Sequence, residues 1–464
     1  MTNLTILITG MMLSCHLQED AMRNPGKKTV FILGAGFSKA DDMPLQSELL
    51  KQIFLFFPKD IPPDISFMQL PVNNIEQNVL KYYDVFEVNR QILAKFLVEN
   101  FMSDEKKDEY NGTMFLVNIE SPGNSIKLKQ AYKIVSEVNV TLEDLFTFFD
   151  KMIIGHDHFQ FYPVTNIIDL HKALRTCITF LLSYHVAHIR YDKDTFSGAF
   201  ANAIFKMRLV SSQKDDNLSI ITMNWDTLLD KELYHLSQNH NLGRSRVKVY
   251  PDLCFYDHSY NQSDKRIVST HIKAKGHRNI KLLKLHGSIN WLICPYCERV
   301  YVDYEDDIAL NALSSDCSCS KCKEMLITPE SPQMRSILIT PTFLKDLNDL
   351  HLRNIWHNAF MDLTEANKIV FIGYSFPDAD FEMRCLLKKA VRHNTQIDVV
   401  LHSLDNPENY KALMDNHHFD INDQNSFFDR LNLPEKRYKT FFGNEAVTLY
   451  YNGLEGYIQQ EMQI

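Results

Sequence analysis

Thr29-Val30-Phe31-Ile32-Leu33-Gly34-Ala35-Gly36-Phe37-Ser38 is the stretch from which the rest of the chain is read. A short β-prone apolar run ending at a glycine is too brief for a helix and reads as a buried parallel strand. The glycines then allow the backbone to turn sharply and to approach a diphosphate with no Cβ in the way. Ser38 is expected to cap the following helix, with Asp41 completing a capping box. The first N–H groups of that helix would then face a phosphate. Lys39 stands where the common dinucleotide fingerprint requires a third glycine, so the loop taken alone also fits a purely structural strand-to-helix turn.

Outward from this stretch, further strand-like runs follow at Leu218–Met223, Ile280–Leu285, Ile337–Thr340, Lys368–Ile372, Ile397–His402 and Val447–Tyr451. Helical patterns at Leu45–Phe57, His351–Leu363 and Phe381–Val391 alternate with them, which implies an α/β fold with a doubly wound parallel sheet. Residues 59–208 lack a strand series and carry amphipathic patterns at Arg90–Phe101, Leu142–Met152 and Ile167–Ile189, so they read as a large helical insertion. The expected organisation is an N-terminal arm over 1–26, a Rossmann-like domain over 27–58 and 209–464, the insertion over 59–208, and a small cysteine-bearing module over 290–327. Asp405–Lys436 is polar and reads as a surface excursion.

A chain of 464 residues suits one large core with accessory units, and 45% hydrophobic with 23% charged residues is the composition of a soluble globular protein. The net charge of -9 argues against a dedicated nucleic-acid binder. The basic residues Arg244, Arg246 and Lys248, and those along Lys273–Lys281, read as solvated faces. No apolar run is long enough to span a membrane. Leu4–Leu13 is apolar, but no Lys or Arg precedes Arg23, so a signal peptide is not expected. Met22 is a plausible natural start, and the expected location is cytoplasmic.

Of nine cysteines, Cys294, Cys297, Cys317, Cys319 and Cys322 crowd one stretch, which reads as a metal site in a reducing compartment. Cys294-x-x-Cys297 and Cys319-x-x-Cys322 have the spacing of a structural zinc ribbon, with Cys317 an alternative to Cys319. His156-Asp157-His158 has no evident third ligand and reads as a helix terminus.

Several segments taken together resemble the sirtuin superfamily. Gly34-Ala35-Gly36-Phe37-Ser38, Thr222-Met223-Asn224-Trp225-Asp226, Leu285-His286-Gly287-Ser288, the Cys294 knuckle and Gly373-Tyr374-Ser375 follow the order of that family's motifs. Asp42-Met43-Pro44-Leu45-Gln46-Ser47 keeps only the proline of the deacylases' Gly-Ile-Pro-Asp-Phe-Arg segment. The phrases His286-Gly287-Ser288-Ile289-Asn290-Trp291 and Gly373-Tyr374-Ser375-Phe376-Pro377-Asp378 are closer to bacterial sirtuin-like effectors.

The resemblance implies a sirtuin-like Rossmann fold that binds NAD as substrate and hydrolyses it to ADP-ribose and nicotinamide, often in anti-phage defence. It implies Asn224 and His286 as catalytic residues. Gly34, Ala35, Gly36, Phe37, Ser38, Asp226, Gly373 and Ser375 would contact the nucleotide, and Cys294, Cys297, Cys319 and Cys322 would hold structural zinc. An asparagine can hold a water or ribose hydroxyl without adding charge, a histidine can exchange a proton near neutrality, and Asp226 can order its loop through backbone N–H groups. Glu143 either faces the pocket or helps to start a helix. Control of a toxic activity implies a homo-oligomer or a co-encoded partner such as a ring ATPase. The alternatives are an NAD-dependent deacylase or ADP-ribosyltransferase, and a non-catalytic NAD or ADP-ribose sensor.

Overall fold

The computed structural model describes residues 28–58, 79–120, 125–189, 195–211, 217–242, 247–253, 277–302, 319, 322, 334–345, 347, 349–377, 380–401 and 434–462. Met1, Met22, Arg244, Arg246, Cys317 and nearly all of the Asp405–Lys436 segment lie outside them.

β1 (Thr29–Leu33) is the middle strand of a seven-stranded sheet. Val30, Phe31, Ile32 and Leu33 are at most 1% exposed, so both faces of the strand are covered and the apolar run needs no alternation. Burial of each such side chain contributes about 1.5–3 kcal/mol. On one side come β2 (Leu218–Thr222), β4 (His277–Lys284) and β3 (Lys248–Asp252); on the other come β8 (Lys368–Ile372), β9 (Gln396–Val400) and β10 (Val447–Tyr450). All the pairings are parallel.

Register fixes where the strands end. Leu33 lies opposite Thr222 and Ile372, and Thr222 lies opposite Lys284. Gly34, Met223, Leu285 and Gly373 therefore leave the sheet level with one another, at its carboxyl edge. The order of winding reverses between β1 and β8, and open parallel sheets form their ligand crevice at such a point.

Between β1 and β2 the described chain is helical: α1 (Ala35–Lys39), α2 (Gln46–Leu55), α3 (Tyr83–Phe101), α4 (Asp104–Glu120), α5 (Ser125–Val135), α6 (Leu142–Gly155), α7 (Val164–Ile189) and α8 (Phe196–Val210). From α2 to α7 they share a hydrophobic core of their own, joined to the sheet region by Leu228 and Ile289. Phe86 and Phe180 stack at 4.6 Å within it, and the buried Arg90 guanidinium lies 4.2 Å from the Tyr132 ring centre. The α8 helix instead packs on the sheet core through Phe200 and Ile204.

After β2 come α9 (Leu228–Leu242), α10 (Leu350–Glu365), α11 (Phe381–Ala390), α12 (Pro434–Phe442) and α13 (Gly453–Glu461). A second, antiparallel sheet has the order β6 (Val300–Val302), β5 (Gly287–Ile293), β7 (Arg335–Leu338). Ile337–Thr340, read from sequence as a strand of the main sheet, contributes to this small one. Asp41 does not form a capping box with Ser38. Its carboxylate accepts from Phe196 N at 2.6 Å and Ser197 N at 2.9 Å, at the start of α8, while Ser38 lies inside α1. A tertiary contact has taken the side chain that the local pattern assigned to α1. The box that does form joins Thr141 and Asp144 at the head of α6. His156 is the left-handed C-cap of that helix, in agreement with its reading as a terminus. Among the described residues no helix is long and apolar enough to cross a membrane.

Candidate active site

A cavity of about 540 Å³ opens at the carboxyl edge of the main sheet, within the usual size range of small-molecule sites. It is lined by Gly34–Ser38, Asn224, Asp226, His286, Gly373 and Ser375, so the structure brings these sequence-selected segments together. From the helical layer and its approach come Gln46, Ser47, Leu182 and Glu143.

The glycine loop is fastened to the segment after β8. Gly34 N donates to Ile372 O at 3.1 Å, Gly36 N donates to Gly373 O at 2.8 Å, and Phe37 N donates to Gly34 O at 3.0 Å. Three backbone donors of the loop are thus spent inside the fold. Gly373 has φ +61°, and a Cβ there would lie 2.0 Å from Phe37 N, so only glycine fits this crossing. Phe37 itself turns its ring into the core, edge-on to Phe200 at 5.3 Å.

Asn224, two residues beyond β2, donates through Nδ2 to Gly34 O at 2.9 Å and to Ser38 Oγ at 3.0 Å. Ser38 Oγ donates in turn to Asp226 Oδ2 at 2.7 Å. Because the Ser38 hydroxyl hydrogen is committed and Gly34 offers a carbonyl, only the amide nitrogen fits there. Asn224 Oδ1 is left as an acceptor at the cavity. Asp226 also accepts from Leu228 N at 3.2 Å, and its backbone carbonyl accepts from the buried Lys284 Nζ at 2.5 Å. Burial raises the Asp226 pKa, against the pull of Lys284 and the Ser38 hydroxyl. Its contacts make it an organiser of the Asn224 turn.

His286 links the two sheets, between the end of β4 and the start of β5, and its carbonyl accepts from Ile339 N at 2.9 Å. His286 is 8% exposed, and among the described residues its Nε2 has no hydrogen-bond partner. Burial pushes the ring down to about 4, with Asp380 raising and Lys345 lowering it. The ring is therefore neutral near pH 7 and offers an unshared lone pair.

Tyr374, Asp380, Gln46 and Trp225 line the same cavity and were not singled out from sequence. Glu143 does both things considered for it: it lies in the first turn of α6, and its carboxylate accepts from Gln46 Nε2. The sequence signal for Asp380 was slight, an acidic residue opening a helix just past the late glycine segment. Ser375 is exposed, and its carbonyl accepts from Arg437 at 2.9 Å.

Beyond β5, the Sγ atoms of Cys294, Cys297, Cys319 and Cys322 all lie within 4.8 Å of one another. The Cys294–Cys322 and Cys297–Cys319 pairs are each 3.7 Å apart. Tetrahedral zinc with bonds of about 2.3 Å sets its sulfurs about 3.8 Å apart, so the cluster fits that ion, with Cys319 in the set.

Residues 218–421 match the family model of the SIR2-like domain. The chain carries a SIR2-like domain. The matched span includes Asn224, His286, the cysteine cluster and Gly373, and supports NAD-dependent sirtuin-type activity. No curated protein matches the chain. Among solved structures, a Sir2–p53 peptide–NAD+ complex is similar at 11% identity over 94% of each chain, with a TM-score of 0.31. Sir2Tm bound to a propionylated peptide is similar at 12% identity over 93% of this chain and 92% of that one, with a TM-score of 0.30.

Proposed function

We propose that the chain is an NAD hydrolase that cleaves the nicotinamide–ribose bond to give ADP-ribose and nicotinamide. The observation that carries this reading is the meeting, in one cavity, of an asparagine with a free acceptor oxygen and a neutral histidine with a free lone pair.

Nicotinamide leaves as a neutral group, so the site needs no strong acid. It needs a held ribose, a placed nucleophile and a proton acceptor. In this reading Asn224 Oδ1 accepts a hydrogen bond from a water or ribose hydroxyl, and His286 Nε2 takes the proton released on attack. Ser38 and Asp226 fix the Asn224 amide. The glycine loop and the Gly373–Ser375 segment line the nucleotide's path. Cys294, Cys297, Cys319 and Cys322 would hold zinc, which would tie the loop beyond β5 and supply no reacting group. The same reading takes the protein as a regulated anti-phage effector of the bacterial sirtuin-like kind, acting as a homo-oligomer or with a co-encoded ring ATPase.

The test is mass spectrometry of purified chain incubated with NAD and an acetylated peptide, beside Asn224→Ala and His286→Ala. Free ADP-ribose from wild type alone supports the hydrolase. O-acetyl-ADP-ribose would replace it with a deacylase, and unchanged NAD that still raises the unfolding temperature would replace it with a sensor.

A further inference from the structure

We propose that Asp380 is a positioning residue for His286, the carboxylate that stabilises the protonated imidazole formed when Nε2 takes a proton from the attacking water. This rests on the hydrolase reading above and adds to it a residue outside the Asn224 and His286 pair.

Asp380 stands at the N-cap of α11, where aspartate ordinarily accepts from the helix's first N–H groups. Its side chain makes no such bond. It turns instead toward the cavity, where Oδ2 accepts from Tyr374 OH at 3.0 Å and Oδ1 from Lys345 Nζ at 3.0 Å. The Lys345 side chain is 1% exposed and also pairs with Glu382 at 3.1 Å. The charged groups that act on His286 are thus Asp380 and Glu382 from one element and Lys345 from the segment before α10. Asp226, also on the cavity, is spent on Ser38 and Leu228.

A helix that gives up its cap and buries a lysine to hold a carboxylate does so at a cost in stability. The arrangement keeps Asp380 ionised on the cavity that the neutral His286 ring also lines. When the imidazole becomes a cation, the carboxylate is already held in the same cavity by Tyr374 and Lys345, so it need not reorganise. In the step itself, a water O–H bond breaks and its proton goes to His286 Nε2. The water oxygen bonds to the ribose anomeric carbon, and the electron pair of the carbon–nitrogen bond leaves with nicotinamide. The proton then passes to solvent, which balances NAD+ and water against ADP-ribose, nicotinamide and a proton.

The experiment compares full-length wild type, Asp380→Asn and Lys345→Met. It reads kcat and KM for NAD across pH, and the ¹³C titration of the His286 ring, assigned with His286→Gln. Asp380→Asn is expected to lower kcat at least about 10-fold with KM little changed. The ring titration should move in opposite directions, down in Asp380→Asn and up in Lys345→Met, by about one pH unit. An unmoved ring titration, or shifts of one sign, would overturn the proposal whatever happens to activity. If wild type binds NAD yet releases no nicotinamide, the hydrolase reading fails, while the ring titration still decides whether Asp380 governs His286. Should Asp380→Asn not fold, Lys345→Met alone carries the ring test, and an unmoved titration there would equally overturn the proposal.

Discussion

His286 should make the folded protein sensitive to mild acid in a way that one substitution removes. Burial holds its imidazole at about 4 in the folded chain, against an ordinary value of 6.5 expected after unfolding. A folded value below the unfolded one favours the neutral ring. The associated stability is complete above the unfolded value, falls as pH drops from about 6.5 toward about 4, and levels off below that. Between about pH 7.5 and about pH 5 the unfolded ring gains nearly a whole proton and the folded ring almost none, which costs about 2 kcal/mol. His286→Gln fills similar space with nothing to titrate. Urea unfolding midpoints of both proteins at the two pH values give a double difference in which every other titrating group cancels. Wild type is expected to lose about 2 kcal/mol more than the variant on acidification. Equal losses would show that the imidazole is not held neutral by burial, and would remove the basis for its free lone pair.

Gly373→Ala should cost more than its left-handed backbone alone, because its Cβ would lie 2.0 Å from Phe37 N. Gly443→Ala, at φ +95° with nothing within 4 Å, isolates the backbone penalty of about 1–2 kcal/mol. Thermal unfolding should rank Gly373→Ala as clearly the worse, and NAD-induced stabilisation should disappear there and persist in Gly443→Ala. Cys319→Ser should remove bound zinc, read as metal per chain, and lower the unfolding temperature, with NAD turnover falling only through lost fold; full zinc retention by the variant would exclude Cys319 from the ligand set.

The main sheet was legible wherever a strand is buried on both faces. Val30–Leu33 and Ile369–Ile372 are unbroken apolar runs with a glycine at the end, and Leu218–Thr222 is interrupted only by Ser219, which is the form a strand covered on both faces takes. Other elements hid for physical reasons. Lys248–Asp252 contains Pro251 and alternates in burial, as suits its place at the edge of the sheet. Gly287–Ile293 is wholly buried but mixes Ser288 and Asn290 into the run, so no period stands out. The α4 helix is polar and shows no clear face.

At the cavity, Asn224, His286 and the glycines were singled out through the resemblance; each stands just past a strand, and register aligns them. Asp380 and Lys345 were not, since 35 residues separate them and only folding makes them a pair. Ser38 and Asp41 were misread because a three-residue spacing is a local signal, and both side chains answer to distant partners.

The central position of β1 has a consequence for how the chain is made. The strand is synthesised before both of its neighbours: the bond between Gly34 and Asn224 beside it spans 190 residues, and that between Lys28 and Asn367 on its other flank spans 339. At ribosomal rates of about 5–20 residues per second, β1 waits about 10–40 s for its first neighbour. During that interval the helices made after it can pair through near contacts, while an apolar strand with two open edges stays on offer to any other extended chain. The nascent protein is therefore most exposed to mispairing before β2 emerges. Slowing translation within the helical segment should raise aggregation, whereas slowing it after β9 should have little effect.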